Sequence, residues 1–241
     1  MFDDPELARL YDAICATAGR EDYEFYLPHI LSADAVLDIG CGTGTLLEEA
    51  RATGHSGRLT GIDPAHGMIG LARRKPGIEW VCGMLEETEW QGSFDLAIMT
   101  GHAFQVLLYD EVITRFLGAV HRTLKPGGRF AFETRNPGAR AWESWTPDKV
   151  KQVRVGGEVY EDRREIIRPY DGQHVTFTHT FTSPSWLDPR VSESTLNFPS
   201  FERVNTLLQS TGFSVDEQYG DWDTSPVNDT SPEIITIARK A

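Results

Sequence analysis

Cysteine is scarce in this chain. Cys15, Cys41 and Cys82 are odd in number and form no CxxC pair, which excludes a disulfide framework and supplies no zinc ligand set. They are expected as small packing or loop residues, and no metal is expected. Basic charge is short as well: 23 Lys and Arg stand against 36 Asp and Glu, a formal net charge of −13. Sequence-independent affinity for nucleic acid comes from clustered Lys and Arg, so DNA is not an expected partner. No apolar run approaches the roughly 20 residues of a membrane span. The opening "MFDDPELARL" is acidic, unlike the basic and then apolar start of a secretory signal. The expectation is a cytoplasmic protein without a membrane partner. Repeats, low-complexity tracts and long linkers are also missing.

What is present has two textures. Up to about residue 140, the continuous apolar runs "AVLDI", "RLTGI", "IEWVC", "FDLAIM" and "GRFAFE" read as buried strands. Amphipathic stretches separate them, most clearly "YDEVITRFLGAVHRTL", where Val112, Phe116, Val120 and Leu124 recur every four residues before the breakers of "KPGG". Strand and helix alternating in this way predict an α/β fold with a parallel sheet and right-handed crossovers. From about residue 150 the pattern becomes alternation between turns: "KVKQVRV", "EVYEDRREIIR" and "QHVTFTHTFT". Val175, Phe177, His179 and Phe181 share one face of the last. A small antiparallel β insertion is expected there, followed by a loop rich in Ser and Pro. "FERVNTLLQSTGF", "SVDEQYG" and "EIITIAR" then return the chain to the α/β unit as a helix and two strands. The boundaries are an N-terminal helical cover over 1–31, the main core over 32–140, the insertion over 141–198 and the closing elements over 199–241.

Strand "AVLDI" runs straight into "GCGTG", and a helix follows. Glycines at such a turn let a ligand approach the backbone, and the helix N-terminus beyond offers free N–H groups. The next strand ends "GIDP", where Asp63 stands at the strand end suited to binding ribose hydroxyls; alone it could simply cap the next helix. A dinucleotide fingerprint, GxGxxG or GxGxxA, would need a small residue at Thr45. What stands instead is G-x-G-x-G preceded by Asp38. This pattern resembles the class I S-adenosylmethionine-dependent methyltransferases. The resemblance continues in order through "GIDPAHGMIGLARRK", "FDLAIMTGHAFQVL", "LKPGGRFAFET", "LLQSTGF" and "EIITIAR".

The resemblance implies a single domain over 1–241: a Rossmann-like three-layer fold with seven strands in the order 3-2-1-4-5-7-6, the last antiparallel, and the insertion as a lid. It implies S-adenosylmethionine as cofactor and S-adenosylhomocysteine as product. Gly40, Cys41, Gly42 and Gly44 would pass the methionine part, Asp38 would orient the loop or the ammonium group, and Asp63 would hold the ribose. Pro64 would lie beside the adenine, with Met84 and Leu85 over its other side; Met84 stands where many relatives carry an Asp. Thr100, at the end of the fourth strand, and Tyr11, in the N-terminal cover, complete the cofactor set.

His102 is the leading catalytic candidate, because "TGHAF" begins at the face where open α/β sheets bind ligands; the alternative is a histidine that only shapes the pocket. Glu133 could meet an amine acceptor or merely cap. His179 reads as a lid residue or a base. Trp142, Trp145, Trp186 and Trp222, with Asp221 and Asp223, would suit a cationic or amino-sugar acceptor if they formed one wall, and core packing otherwise. The [DNS]PP[YF] sequence of base-amine methyltransferases is missing after the fourth strand, and a lid favours a small molecule. Methyl transfer to an O or N atom of a small-molecule acceptor is therefore expected. A non-catalytic or regulatory S-adenosylmethionine-binding module and a nicotinamide-dependent oxidoreductase stay open, as does the oligomeric state.

Overall fold

The computed structural model describes residues 5–15 and 20–241. Residues 1–4 and 16–19 of the N-terminal cover, and the Cys15 side chain, lie outside the described residues. Two helices, α1 (Pro5–Cys15) and α2 (Glu21–Leu31), precede β1 (Ala35–Ile39). The core continues through α3 (Thr45–Ala52), β2 (Arg58–Asp63), α4 (His66–Ala72), β3 (Glu79–Cys82), β4 (Phe94–Met99), α5 (Asp110–Thr123) and β5 (Leu124–Arg135). The insertion holds β6 (Lys151–Val155), β7 (Glu158–Arg168), β8 (His174–Thr182) and β9 (Arg190–Asn197). Helix α6 (Phe201–Ser210) and strands β10 (Phe213–Tyr219) and β11 (Glu233–Lys240) close the chain.

The main sheet has seven strands in the order β10-β11-β5-β4-β1-β2-β3. Strands β1 to β5 pair in parallel, and β11 runs antiparallel to both β5 and β10. With β10 as the sixth strand and β11 as the seventh, this is the expected order. Both faces are covered, which explains why the strands read as unbroken apolar runs. Leu37, Ile39, Ala97, Phe130 and Phe132 pack on one face against Ile113, Phe116 and Val120 of α5 and Val204 and Leu208 of α6. Val36, Leu96, Ile98 and Ala131 point the other way, onto Tyr26 and Ile30 of α2 and Leu46 and Leu47 of α3. Helix α5 carries Asp110 and Glu111 in its first turn and His121 and Arg122 in its last, both favourable to the helix dipole.

The insertion forms its own antiparallel sheet, β6-β7-β8-β9. Its fourth strand corrects the sequence reading, which ended the insertion in a loop. "SPSWLDP" is the connection, and "RVSESTLN" after it pairs with β8 from His174↔Asn197 to Phe181↔Arg190. An edge strand with polar residues on its open side has no apolar alternation to announce it. Two small cores fasten this sheet over the main one. Leu7, Leu10 and Ile14 of α1 pack with Val153, Tyr160 and Phe181, while Trp142, Trp145, Val175, Phe177 and Phe198 form the second. Polar joints add register: the Gln105 amide donates to the Asn197 carbonyl at 2.8 Å, and the Asn197 amide donates to the Leu107 carbonyl at 3.1 Å. The β sheet and α1 therefore roof the C-terminal ends of the parallel strands. Among the described residues, no helix is long and apolar enough to cross a membrane.

Candidate functional site

A cavity of about 550 Å³ lies between the parallel strand ends and the inserted sheet. Its floor includes Gly40, Gly42, Asp63, Pro64, Met84 and Leu85; its roof includes Trp145, Asp162, Arg164, Phe177, His179 and Phe181. Tyr11 of α1 forms part of the wall. A second cavity, of about 520 Å³, adjoins the other side of the glycine turn and is lined by Arg20, Cys41, Thr43, Lys75 and Thr100, with Tyr11 shared between the two.

The glycine turn is built by positive backbone angles, φ 71° at Gly40, 56° at Gly42 and 77° at Gly44. Their reasons differ. A Cβ on Gly42 would meet nothing nearer than the Met68 sulfur and the Tyr11 ring, both at 4.0 Å, so this residue keeps space open for a ligand. A Cβ on Gly44 would fall inside the Trp80 ring, so Gly44 serves packing and lines neither cavity. Asp63 ties the turn to the next strand: Oδ2 accepts the Gly42 N–H at 2.9 Å, and Oδ1 accepts the Ala65 N–H at 2.8 Å at the start of α4. Capping and placement at the cavity floor coexist in this one carboxylate.

Asp38 is buried beneath the turn, and its Oδ1 has no hydrogen-bond partner among the described residues. Burial, reinforced by the charges of Asp63 and Glu133, pushes its carboxyl up to about 8. Cys41 faces the second cavity beside Gly61. Burial raises its thiol well above the usual range, which makes it a poor nucleophile.

The three candidate acid–base residues fall into different surroundings. Glu133 is fully buried, lines neither cavity, and has both oxygens engaged. Oε2 accepts the Tyr26 hydroxyl at 2.5 Å and Oε1 accepts the His102 N–H at 2.7 Å. Burial raises its carboxyl. Its position is that of a brace between α2 and the His102 turn. His102 sits in a left-handed conformation, φ 60°, at the cavity wall, and its Nε2 lies 2.9 Å from a Glu233 oxygen. Burial, with Arg135 nearby, pushes His102 down to about 4, and burial pushes Glu233 up to about 8. Burial thus favours the neutral form of each partner. His179 faces the cavity from the roof, and its Nδ1 lies 3.0 Å from Oδ1 of the buried Asp162 on the neighbouring strand. With Nδ1–H donating to Asp162, Nε2 carries the free lone pair.

The tryptophans do not form one wall. Trp142 stacks on Tyr170 at 4.3 Å in the core of the roof, Trp186 packs against Tyr160 and Arg190, and Trp222 packs against Phe25 and Tyr26 behind the main sheet. Only Trp145 of the four lines the cavity. Asp221 and Asp223 accept backbone N–H groups of Trp222 and Ser225 in their own loop. Turn chemistry and core packing explain these residues, and the cationic-acceptor expectation loses its footing. Residues missed from the sequence include Asp162, Arg164 and Arg135. The alternation Tyr160, Asp162, Arg164, Ile166 in β7 carried a signal for the first two, because it puts them on one face.

Residues 36–128 match a family model described as a methyltransferase domain. The chain is 30% identical over 144 residues to a ubiquinone biosynthesis O-methyltransferase of Bradyrhizobium sp., covering 58% of this chain and 52% of that protein. It is 33% identical over 147 residues to the aklanonic acid methyltransferase DauC of Streptomyces sp., covering 53% and 64%. The alignments span from about a quarter to about half of the length of the first curated relatives matched. The structure of S-adenosylmethionine-bound CalS10, an amino pentose methyltransferase from Micromonospora echinaspora, superposes with a TM-score of 0.71 at 18% identity over 98% of this chain and 97% of that one. Residues 36–128 thus carry a methyltransferase domain, and the glycine turn and strand order agree with the fold of S-adenosylmethionine-dependent methyltransferases.

Proposed function

We propose that the protein transfers a methyl group from S-adenosylmethionine to an oxygen or nitrogen atom of a small-molecule acceptor enclosed beneath the β roof. The observation that carries this reading is the continuity of one cavity from the glycine turn to the side chains of Trp145, Phe177 and His179. Relatives named for ubiquinone biosynthesis and for aklanonic acid are in keeping with a small acceptor.

The residues present fit the cofactor. Gly42 leaves room where a side chain would intrude, and Asp38 Oδ1 is a buried acceptor lacking a donor such as an ammonium group supplies. Asp63 would bind the ribose; Pro64, Met84 and Leu85 would flank the adenine; Gly40, Cys41 and Thr100 would border the methionine part, with Tyr11 over the turn. When bound, S-adenosylmethionine supplies an electrophilic sulfonium methyl, to which the acceptor lone pair bonds while the carbon–sulfur pair returns to sulfur. The protein's own contribution is placement and exclusion of water. Phe177, Phe181, Leu107 and Trp145 dry the roof side of the cavity and confine the acceptor to a near-attack position. His179 Nε2 takes the proton that a hydroxyl or ammonium acceptor must lose, with Asp162 holding the imidazole in the receptive tautomer. Glu133 and His102 act as positioning residues, shaping the wall through the Glu133 to His102 N–H bond.

Calorimetric titration of wild type and Asp63→Ala with S-adenosylmethionine and S-adenosylhomocysteine tests the core of this reading. Micromolar binding of both ligands, lost in the variant, is expected. Correctly folded wild type that binds neither would overturn it.

A further inference from the structure

The cavity is lined by two arginines that form no ion pair among the described residues. Arg135 ends β5 and Arg164 lies mid-way along β7; both line the cavity, and neither has a carboxylate within ion-pair distance among the described residues. Arg135 Nη1 donates to the neutral Gln105 amide oxygen at 2.8 Å, and the Arg164 guanidinium donates no hydrogen bond to the described residues. Both guanidiniums meet one indole instead: their carbons lie 5.6 and 5.8 Å from the Trp145 ring centroid. Two like charges beside one ring repel: burial draws Arg135 down to about 10, with Glu233 raising it and Arg164 lowering it. In a chain with 36 acidic residues, leaving these two arginines without a dedicated carboxylate points to a ligand that supplies the charge.

Geometry narrows the ligand. Glu233 lies directly opposite Arg135 in the β5–β11 pairing but makes no ion pair with it, its two oxygens lying 2.9 and 3.0 Å from His102 Nε2 instead. Asp162, two residues before Arg164 on the same face of β7, is engaged by His179. Asp63 and Glu86 also line the cavity, but Arg135 and Arg164 meet at Trp145, where a single carboxylate can bridge both guanidiniums. Planar carboxylates also match the guanidinium fork. Position then separates anchor from reaction centre. Arg164 pairs directly across from His179 in the β7–β8 register, so a group held by Arg164 lies one side chain from His179 Nε2. A carboxylate that was itself the methyl acceptor would need no base, and guanidinium contacts would draw density from it; the His179–Asp162 pair would then be idle.

We propose that the acceptor carries a single carboxylate, gripped by Arg135 and Arg164 against Trp145, and is methylated at a neighbouring hydroxyl or amine whose proton passes to His179 Nε2. This rests on the methyl-transfer reading above and adds the acceptor's chemical class.

The test compares matched probes on the protein saturated with S-adenosylhomocysteine: 4-hydroxybenzoate, its uncharged amide 4-hydroxybenzamide, and 4-hydroxyphenyl phosphate. Isothermal titration is expected to show the carboxylate binding about tenfold tighter than the amide. Arg164→Gln is expected to reduce that preference to about twofold or less while S-adenosylhomocysteine affinity stays unchanged, which shows that the variant is folded; Arg135→Gln repeats the measurement from the other guanidinium. Equal binding of carboxylate and amide, binding of neither at millimolar concentration, or a preference that survives both substitutions would overturn the proposal. Tighter binding of the phosphate ester, lost with Arg164, would overturn the monoanion assignment in favour of a phosphorylated acceptor. Wild type that fails to bind S-adenosylhomocysteine sinks the methyl-transfer reading itself, and this assignment with it; cofactor binding without a carboxylate preference sinks only this one.

Discussion

Asp63 accepts the Gly42 N–H at 2.9 Å, and so joins the end of β2 to the glycine turn that follows β1. Its other oxygen accepts the Ala65 N–H, so a truncation strands two backbone donors. Asp63→Ala should cost about 1–3 kcal/mol in urea unfolding and at least about tenfold in S-adenosylhomocysteine affinity. Asp63→Asn, which keeps one acceptor oxygen, should recover part of the stability but little of the affinity. Equal affinity in all three proteins would remove Asp63 from the cofactor site.

Gly42 and Gly44 should separate binding from folding. Gly42→Ala introduces a side chain into open space at φ 56°, so it should lose only about 1 kcal/mol of stability but most of the cofactor affinity. Gly44→Ala drives a methyl into Trp80 and should cost about 2–4 kcal/mol. Thermal unfolding beside ligand titration reads both, and the reverse ranking would mean that the roles are exchanged.

Asp38 predicts a pH dependence. Its carboxyl lies at about 8 when folded, against 3.8 ordinarily. Between those values the folded chain keeps a proton that the unfolded chain has released, so this contribution to stability is complete below about pH 4 and is lost as pH rises towards 8. Asp38→Asn should flatten the slope, gaining on wild type by a few kcal/mol between pH 5 and 8 at most, by order of magnitude. An ammonium group bound beside Asp38 favours the ionised carboxylate. Cofactor binding near pH 7 should therefore release protons, measurable as a dependence of the calorimetric enthalpy on buffer ionisation, and the variant should show less release.

His179 and Asp162 predict a kinetic signature. With an acceptor identified, His179→Ala should lower kcat by roughly 10²–10⁴-fold with S-adenosylhomocysteine affinity unchanged, and added imidazole should restore part of the rate. Asp162→Asn should act in the same direction more weakly. A fall in cofactor affinity without loss of kcat would assign both residues to roof structure alone.

Glu133 should behave as a brace. Glu133→Ala strands the Tyr26 hydroxyl and the His102 N–H inside the core, for an expected loss of about 2–4 kcal/mol in urea unfolding. Glu133→Gln, which keeps one acceptor oxygen for the His102 N–H and can donate its amide N–H to the Tyr26 oxygen, should lose less than half of that.

Strand "AVLDI", the glycines after it and the apolar face of α5 were legible because their determinants are local: buried runs, positive φ and a 3.6-residue period are written in neighbouring positions. Alternation of strand and helix implied only a parallel sheet; the order of its strands and the antiparallel β11 were supplied by family resemblance. Other features depend on residues distant in the chain. Gly44 looked like part of a ligand loop until Trp80, 36 positions on, proved to occupy the space beside it. Glu133 at a strand end resembled an acid at the site, and only the approach of Tyr26 and His102 reveals it as buried and engaged. His179 gained a partner when β7 and β8 paired, and Arg135 met Arg164 and Trp145 only when the insertion folded over the sheet. Sequence by itself determined the helices and strands of the α/β core and the turn that a cofactor would approach, since these are set by backbone geometry and hydrophobic period. Tertiary structure alone decided which polar side chains face the cavity and which are consumed as braces, because burial and charge are properties of a residue's neighbours in space.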